Sequence, residues 1–182
     1  MTVFCELCGF IDGTDDPIQK NPKTNKAFDY GCKPGESFVM PYRITDTDPE
    51  GNRKEWELED VYKWTLEQMK LDWVRPWMKP ITYLYRGKIG DLYPELSTTE
   101  HWNENVLECM RNDTERFGME RDEPMCENKV PREGFVLRID NDTVPEAFKL
   151  KCVNFLEMER LQYDLAQVDI EAEEGYGEKA EQ

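Results

Sequence analysis

The feature that most constrains the fold is an alternating run in the C-terminal third: Pro131-Arg132-Glu133-Gly134-Phe135-Val136-Leu137-Arg138-Ile139-Asp140, followed by Phe148-Lys149-Leu150-Lys151-Cys152. Side chains alternate faces along a strand, so the pattern predicts two strands joined by a polar loop over Asn141 to Glu146. Glu133, Phe135 and Leu137 fall on one face of the first strand. Lys149 and Lys151 share one face of the second, and Phe148, Leu150 and Cys152 turn into a core. A carboxylate and two ammonium groups converging on one pocket suit a phosphate with its magnesium ion: lysines offset the anionic oxygens, and the carboxylate holds the metal or its waters. The plain alternative is an amphipathic hairpin with a solvated charged face, which is ordinary for antiparallel sheets.

A chain of 182 residues is long enough to bury a sizeable core and normally forms one domain. Its formal net charge is −16. From Glu157 onward nine acidic residues face two basic ones, which leaves −7 in the tail and −9 in the body. Tight non-specific RNA binding through phosphate contacts is not expected of such a body. RNA would need a local basic site or a second polypeptide. No apolar run reaches membrane-spanning length, the first ten residues lack a basic leader, and six scattered cysteines read as reduced thiols. These features predict a cytoplasmic protein.

Taken in order, residues 2–11 read as a buried strand. Cys5 and Cys8 have the spacing of a metal knuckle, but no second pair completes a four-ligand site, so they read as packing thiols. Glu6 is a lone acid in an apolar strand: either it is paired or functional, because burial is costly, or the strand has one face in water. Residues 12–36 form a long loop whose Lys20, Lys23, Lys26 and Lys33 are candidates for RNA contact. Ser37–Thr45 predicts a strand with Pro41 at an edge or bulge. A turn over 46–52 leads to a helix over 56–73 with Leu58, Val61, Tyr62, Met69 and Trp73 on one face, and Trp64, Trp73 and Trp77 are assigned to packing. A short strand is expected over 81–85. Ser97-Thr98-Thr99-Glu100 is a capping box opening a helix over 98–117 with Trp102, Val106, Met110 and Phe117 buried. His101 is placed on its solvent side. A last helix begins near Phe155 and carries Leu161 and Leu165 into an acidic, partly disordered tail over 161–182, disordered from Glu171 onward.

Glu133-Gly-Phe-Val-Leu-Arg138 followed by Phe148-Lys-Leu-Lys151 resembles the last two nucleotidyltransferase motifs of the ATP-dependent RNA ligases, relatives of DNA ligases and mRNA capping enzymes. Phe4-Cys5-Glu6 followed by Gly9 is similar to their aromatic–x–Glu strand, and Phe28-Asp29-Tyr30-Gly31 to the chain that passes beside their active site. The resemblance implies an α+β fold: an antiparallel nucleotide-binding sheet of a nucleotidyltransferase (ATP-grasp-like) domain with flanking helices, over residues 1–160. It implies ATP and Mg2+ as cofactors, Glu133 as the metal residue, and Lys149 and Lys151 on the α-phosphate. Glu6 and Tyr42 would hold the nucleoside, Tyr42 stacking on adenine with Phe38 as second choice. RNA ends are the implied partners, joined through enzyme-AMP and RNA-adenylate intermediates. The family's nucleophilic Lys–x–acid/amide–Gly motif is absent; Lys33-Pro-Gly and Lys88-Ile-Gly do not fit it. The expectation is therefore a ligase domain lacking its N-terminal part, completed by a separate N-terminal segment or left as a non-catalytic nucleotide- or RNA-binding remnant.

Overall fold

A computed structural model describes residues 1–98, 102–118, 121–140 and 145–164. It is α+β with small antiparallel sheets. The first sheet has the order β1 (Thr2–Gly9), β2 (Ser37–Thr47), β3 (Arg53–Glu55). β2 is rich in β-branched and aromatic residues, which suits a central strand. Opposite it, Phe4 pairs with Arg43 but Cys5 with Pro41. Tyr42 is the extra residue of a bulge, and the bulge accommodates a proline that has no N–H to give the ladder. β1 lies at the sheet's edge, with Cys5, Glu6 and Leu7 exposed and Cys8 buried. It is not the buried strand expected.

The first long helix, α1 (Leu58–Gln68), is shorter at both ends than the apolar spacing implies. Trp56 is held to the sheet, its N–H donating to the Ile44 carbonyl at 2.9 Å and its indole to Asp46 at 2.7 Å, so the helix cannot start there. Val61 and Thr65 are buried where α1 packs on β2, whose Ile44 and Thr45 are buried too. After the helix the chain turns at Leu71–Trp77 around buried Val74. The strand expected over 81–85 does not form. The backbone instead meets β2 a little earlier, in a parallel bridge between Val39 and Met78.

Next come α2 (Ile89–Leu92), a 3-10 turn (Pro94–Thr98), α3 (Trp102–Asn112) and α4 (Thr114–Phe117). The single helix expected over 98–117 is broken at Asp113, whose carboxylate accepts from the Tyr93 hydroxyl at 3.2 Å and pairs with Arg116 at 3.0 Å. Val106, Met110 and Phe117 are buried as their spacing predicts. Thr99, Glu100 and His101 lie outside the described residues, as does the tail after residue 164. The second sheet is the hairpin β4 (Gly134–Ile139) and β5 (Glu146–Lys151), followed by α5 (Val153–Asp164). The larger core gathers here: Val106, Met110, Phe117, Val130, Leu150, Cys152 and Phe155 close around Phe28, a loop residue from the N-terminal third. Among the described residues no helix is long and apolar enough to cross a membrane.

Candidate functional site

The hairpin register pairs Phe135 with Leu150, Val136 with Lys149, and Gly134 with Lys151. Phe135 and Leu137 therefore share the core face with Leu150, while the lysines lie on the opposite face beside Val136. Strict alternation would put Glu133 with Phe135, away from the lysines. The structure nevertheless brings Glu133 Oε1 to 2.5 Å from Lys149 Nζ. The break comes at Gly134, which takes φ +150° and lies so close to β5 that a Cβ there would stand 1.9 Å from the Leu150 carbonyl oxygen. Only glycine fits that approach, and it frees Glu133 from the pleat.

Lys151 has a carboxylate of its own. Its ammonium ion-pairs with Glu159 on α5 and lies 5.7 Å from the Phe155 ring centroid. The contact seen at Glu133 is that of Lys149, which is 45% exposed against 23% for its partner's side chain.

Glu133 has another neighbour on the side of the first sheet. Burial raises the Tyr30 hydroxyl well above the ordinary phenol range, and nearby Cys8 and Glu133 add to the effect. Burial, then Glu6, pushes the Cys8 thiol up to about 12. Cys8 is buried and packs, as the spacing argument anticipates, whereas Cys5 is exposed and is not the packing thiol expected. Tyr30 adopts φ +49°, and Gly31 follows at +72°. The turn is fixed by buried Asp29, which accepts backbone N–H groups from Gly31 at 2.8 Å, Glu127 at 2.9 Å and Asn128 at 2.9 Å. The family resemblance points to the Phe28–Gly31 segment but assigns no separate role to Tyr30 or Asp29.

Tyr42 reaches the hairpin at the other end, through its backbone. Arg138, 8% exposed, donates to the Tyr42 carbonyl at 3.5 Å and to the Trp56 carbonyl, and ion-pairs with Asp140 at 2.8 Å. Tyr42 itself is 45% exposed, which leaves its ring accessible for stacking, whereas Phe38 is core with the Lys79 ammonium 3.8 Å above its ring. Glu6 is exposed on β1 opposite Met40. The four loop lysines are exposed too, and Lys23 borders a hollow of about 180 Å³ with Asn154 and Glu157. That is smaller than the roughly 300 Å³ at which ligand pockets begin.

Among the described residues no group of three or more acidic, histidine or cysteine side chains is arranged to hold a metal ion. A magnesium ion carried on phosphates needs only one or two protein carboxylates, the rest of its shell being water and phosphate oxygen. Glu133 fits that modest demand. No family model matches this chain, and neither a curated protein nor a solved structure does.

Proposed function

We propose that this chain takes part in ATP-dependent RNA end joining, as the hairpin unit of a nucleotidyltransferase. The observation that carries the reading is the Glu133–Lys149 pair, held at 2.5 Å where Gly134 breaks the pleat. An arriving triphosphate would take Lys149 onto its α-phosphate, where the ammonium offsets charge that grows in the transition state. Glu133 would then turn to the accompanying magnesium. Exposed Tyr42 would stack on the base, and Glu6 would reach the ribose. The nucleophilic lysine comes from a separate segment, since no Lys–x–acid/amide–Gly motif occurs in these 182 residues.

A second reading has its own support. Lys149 and Lys151 are each engaged by a carboxylate, Glu133 and Glu159. A unit that binds nucleotide or RNA without transferring AMP needs no further group. Equilibrium binding of α-labelled ATP with Mg2+, followed by denaturing electrophoresis, tests both. Saturable binding that falls at least tenfold in Lys149→Ala, with covalent label only after a lysine-bearing segment is added, supports end joining. Binding without label under either condition supports the second reading. No binding by the unaltered chain at millimolar ATP overturns the nucleotide site.

A further inference from the structure

The segment that least resembles the rest of this chain runs over residues 61–90. Over residues 61–90 six lysines and arginines stand against two acids, and Lys63 and Arg86 of these are paired with Glu59 just upstream. Its aromatic residues were assigned to packing, yet Trp73 is 74% exposed and Trp77 is 52% exposed. Large apolar side chains left in water on a rigid turn mark an interaction surface. The turn is rigid for a visible reason. Val74 is its buried anchor, Arg75 N–H donates to the Leu71 carbonyl at 3.0 Å, Trp77 N–H to the Val74 carbonyl at 2.8 Å, and Pro76 lies within the 3-10 turn. Arg75, 62% exposed, stands between the two indoles in the chain.

We infer that Trp73, Arg75 and Trp77 form a platform for single-stranded nucleic acid, the indoles stacking on bases and the flanking cations tracking the phosphates. Indole faces stack on any base, and an interposed guanidinium serves both base and phosphate. Arg75, Lys70 and Lys79 supply cations next to the two indoles in the chain, the charge that phosphates would meet there. Arg75 and Lys70 are paired with Asp72 at 3.1 Å and Glu67 at 2.6 Å. These pairs are exposed, contribute little and exchange readily for phosphate. A duplex hides its base faces, so a single strand is the fitting form.

The platform also leads toward the candidate site. One residue beyond Trp77, Met78 bridges to Val39 of β2, and Lys79 N–H donates to the Val39 carbonyl at 3.0 Å. The next β2 residue, Met40, pairs with Glu6. The inference rests on the end-joining reading only for what happens to the bound strand.

The test uses the full chain without ATP, titrated into a fluorescein-labelled oligouridylate and read by anisotropy. Expected is saturable binding that weakens as salt rises, is poor for an RNA duplex of equal length, and falls by at least about fivefold in each of Trp73→Ala and Trp77→Ala. Melting temperatures of these variants should stay near that of the unaltered chain, and Arg75→Glu gives a second loss that removes no buried surface. Absence of binding, or equal binding by both tryptophan variants, overturns the platform. So does a tryptophan blue shift on phosphatidylserine vesicles that oligouridylate does not reverse, which would make the turn a membrane contact. Oligouridylate bound with no ATP bound keeps the platform and removes the ligase reading; the converse result removes the platform alone.

Discussion

At the scale of single residues, Asp29 has the clearest energetic role. It is 4% exposed, and burial by itself would raise its carboxyl. The backbone N–H groups of Asn128, Glu127 and Gly31 outweigh that effect and hold it below the usual carboxylate range. A depressed folded-state pKa means stability that is fully present above the unfolded value, about 3.9, and lost as pH falls through the folded one. The denaturation midpoint should therefore drop steeply below about pH 4, and Asp29→Asn should lose less over the same interval. At pH 7 that variant should be about 2 kcal/mol less stable, because an amide accepts fewer N–H bonds and presents its own donors to them. Urea denaturation at pH 7 and across the acid range checks both statements; a variant as stable as the parent at pH 7 would refute the role. Such a residue is hard to find in sequence, since its three donors come from positions 31, 127 and 128. Only the small turn around Gly31 is local.

Elements were more legible where the period is local. The β4–β5 hairpin was readable from strict alternation, and β2 from its β-branched and aromatic content. Helices were readable as periodicity but not at their ends, because the ends depend on distant partners. α1 begins where Asp140, eighty-two positions away, accepts the Leu58 N–H at 3.0 Å. The same Asp140 holds Arg138, which ties the hairpin to the Tyr42 and Trp56 carbonyls of the first sheet. Arg138 reads in sequence as one more charge on an exposed face; its burial reveals it as the fastening between sheets. Arg138→Met should remove one donor from the Asp140 carboxylate, which keeps the Leu58 N–H, and one from each of two carbonyls, and cost about 1–3 kcal/mol. Hydrogen exchange should then accelerate first in α1 and β3. Uniform acceleration across the hairpin core would show that the fastening lies elsewhere.

For the whole molecule, the pairing of Glu133 with Lys149 illustrates how far the candidate site was legible. Alternation groups the two residues for a geometric reason that the register contradicts. Their meeting depends on a glycine whose Cβ would collide with β5. Lys151 was grouped with them because alternation does not encode that α5 would return Glu159 to it. The charge balance, by contrast, is a property of composition alone and has a consequence for the entire fold. With a net charge of −16 on 182 residues, compaction concentrates like charge, and self-repulsion opposes folding at every pH where the carboxylates are ionised. Several ion pairs among the described residues are exposed, among them Lys70–Glu67 and Arg75–Asp72, so salt weakens small gains there while it screens a larger collective loss. Raising sodium chloride from about 0.01 to about 0.5 M shortens the screening length from roughly 30 Å to a few ångströms. The melting temperature, followed by scanning calorimetry at neutral pH, should rise over that interval. A fall would mean that the pairs outweigh the repulsion, with the partly buried Arg138–Asp140 and Lys151–Glu159 pairs the first to examine.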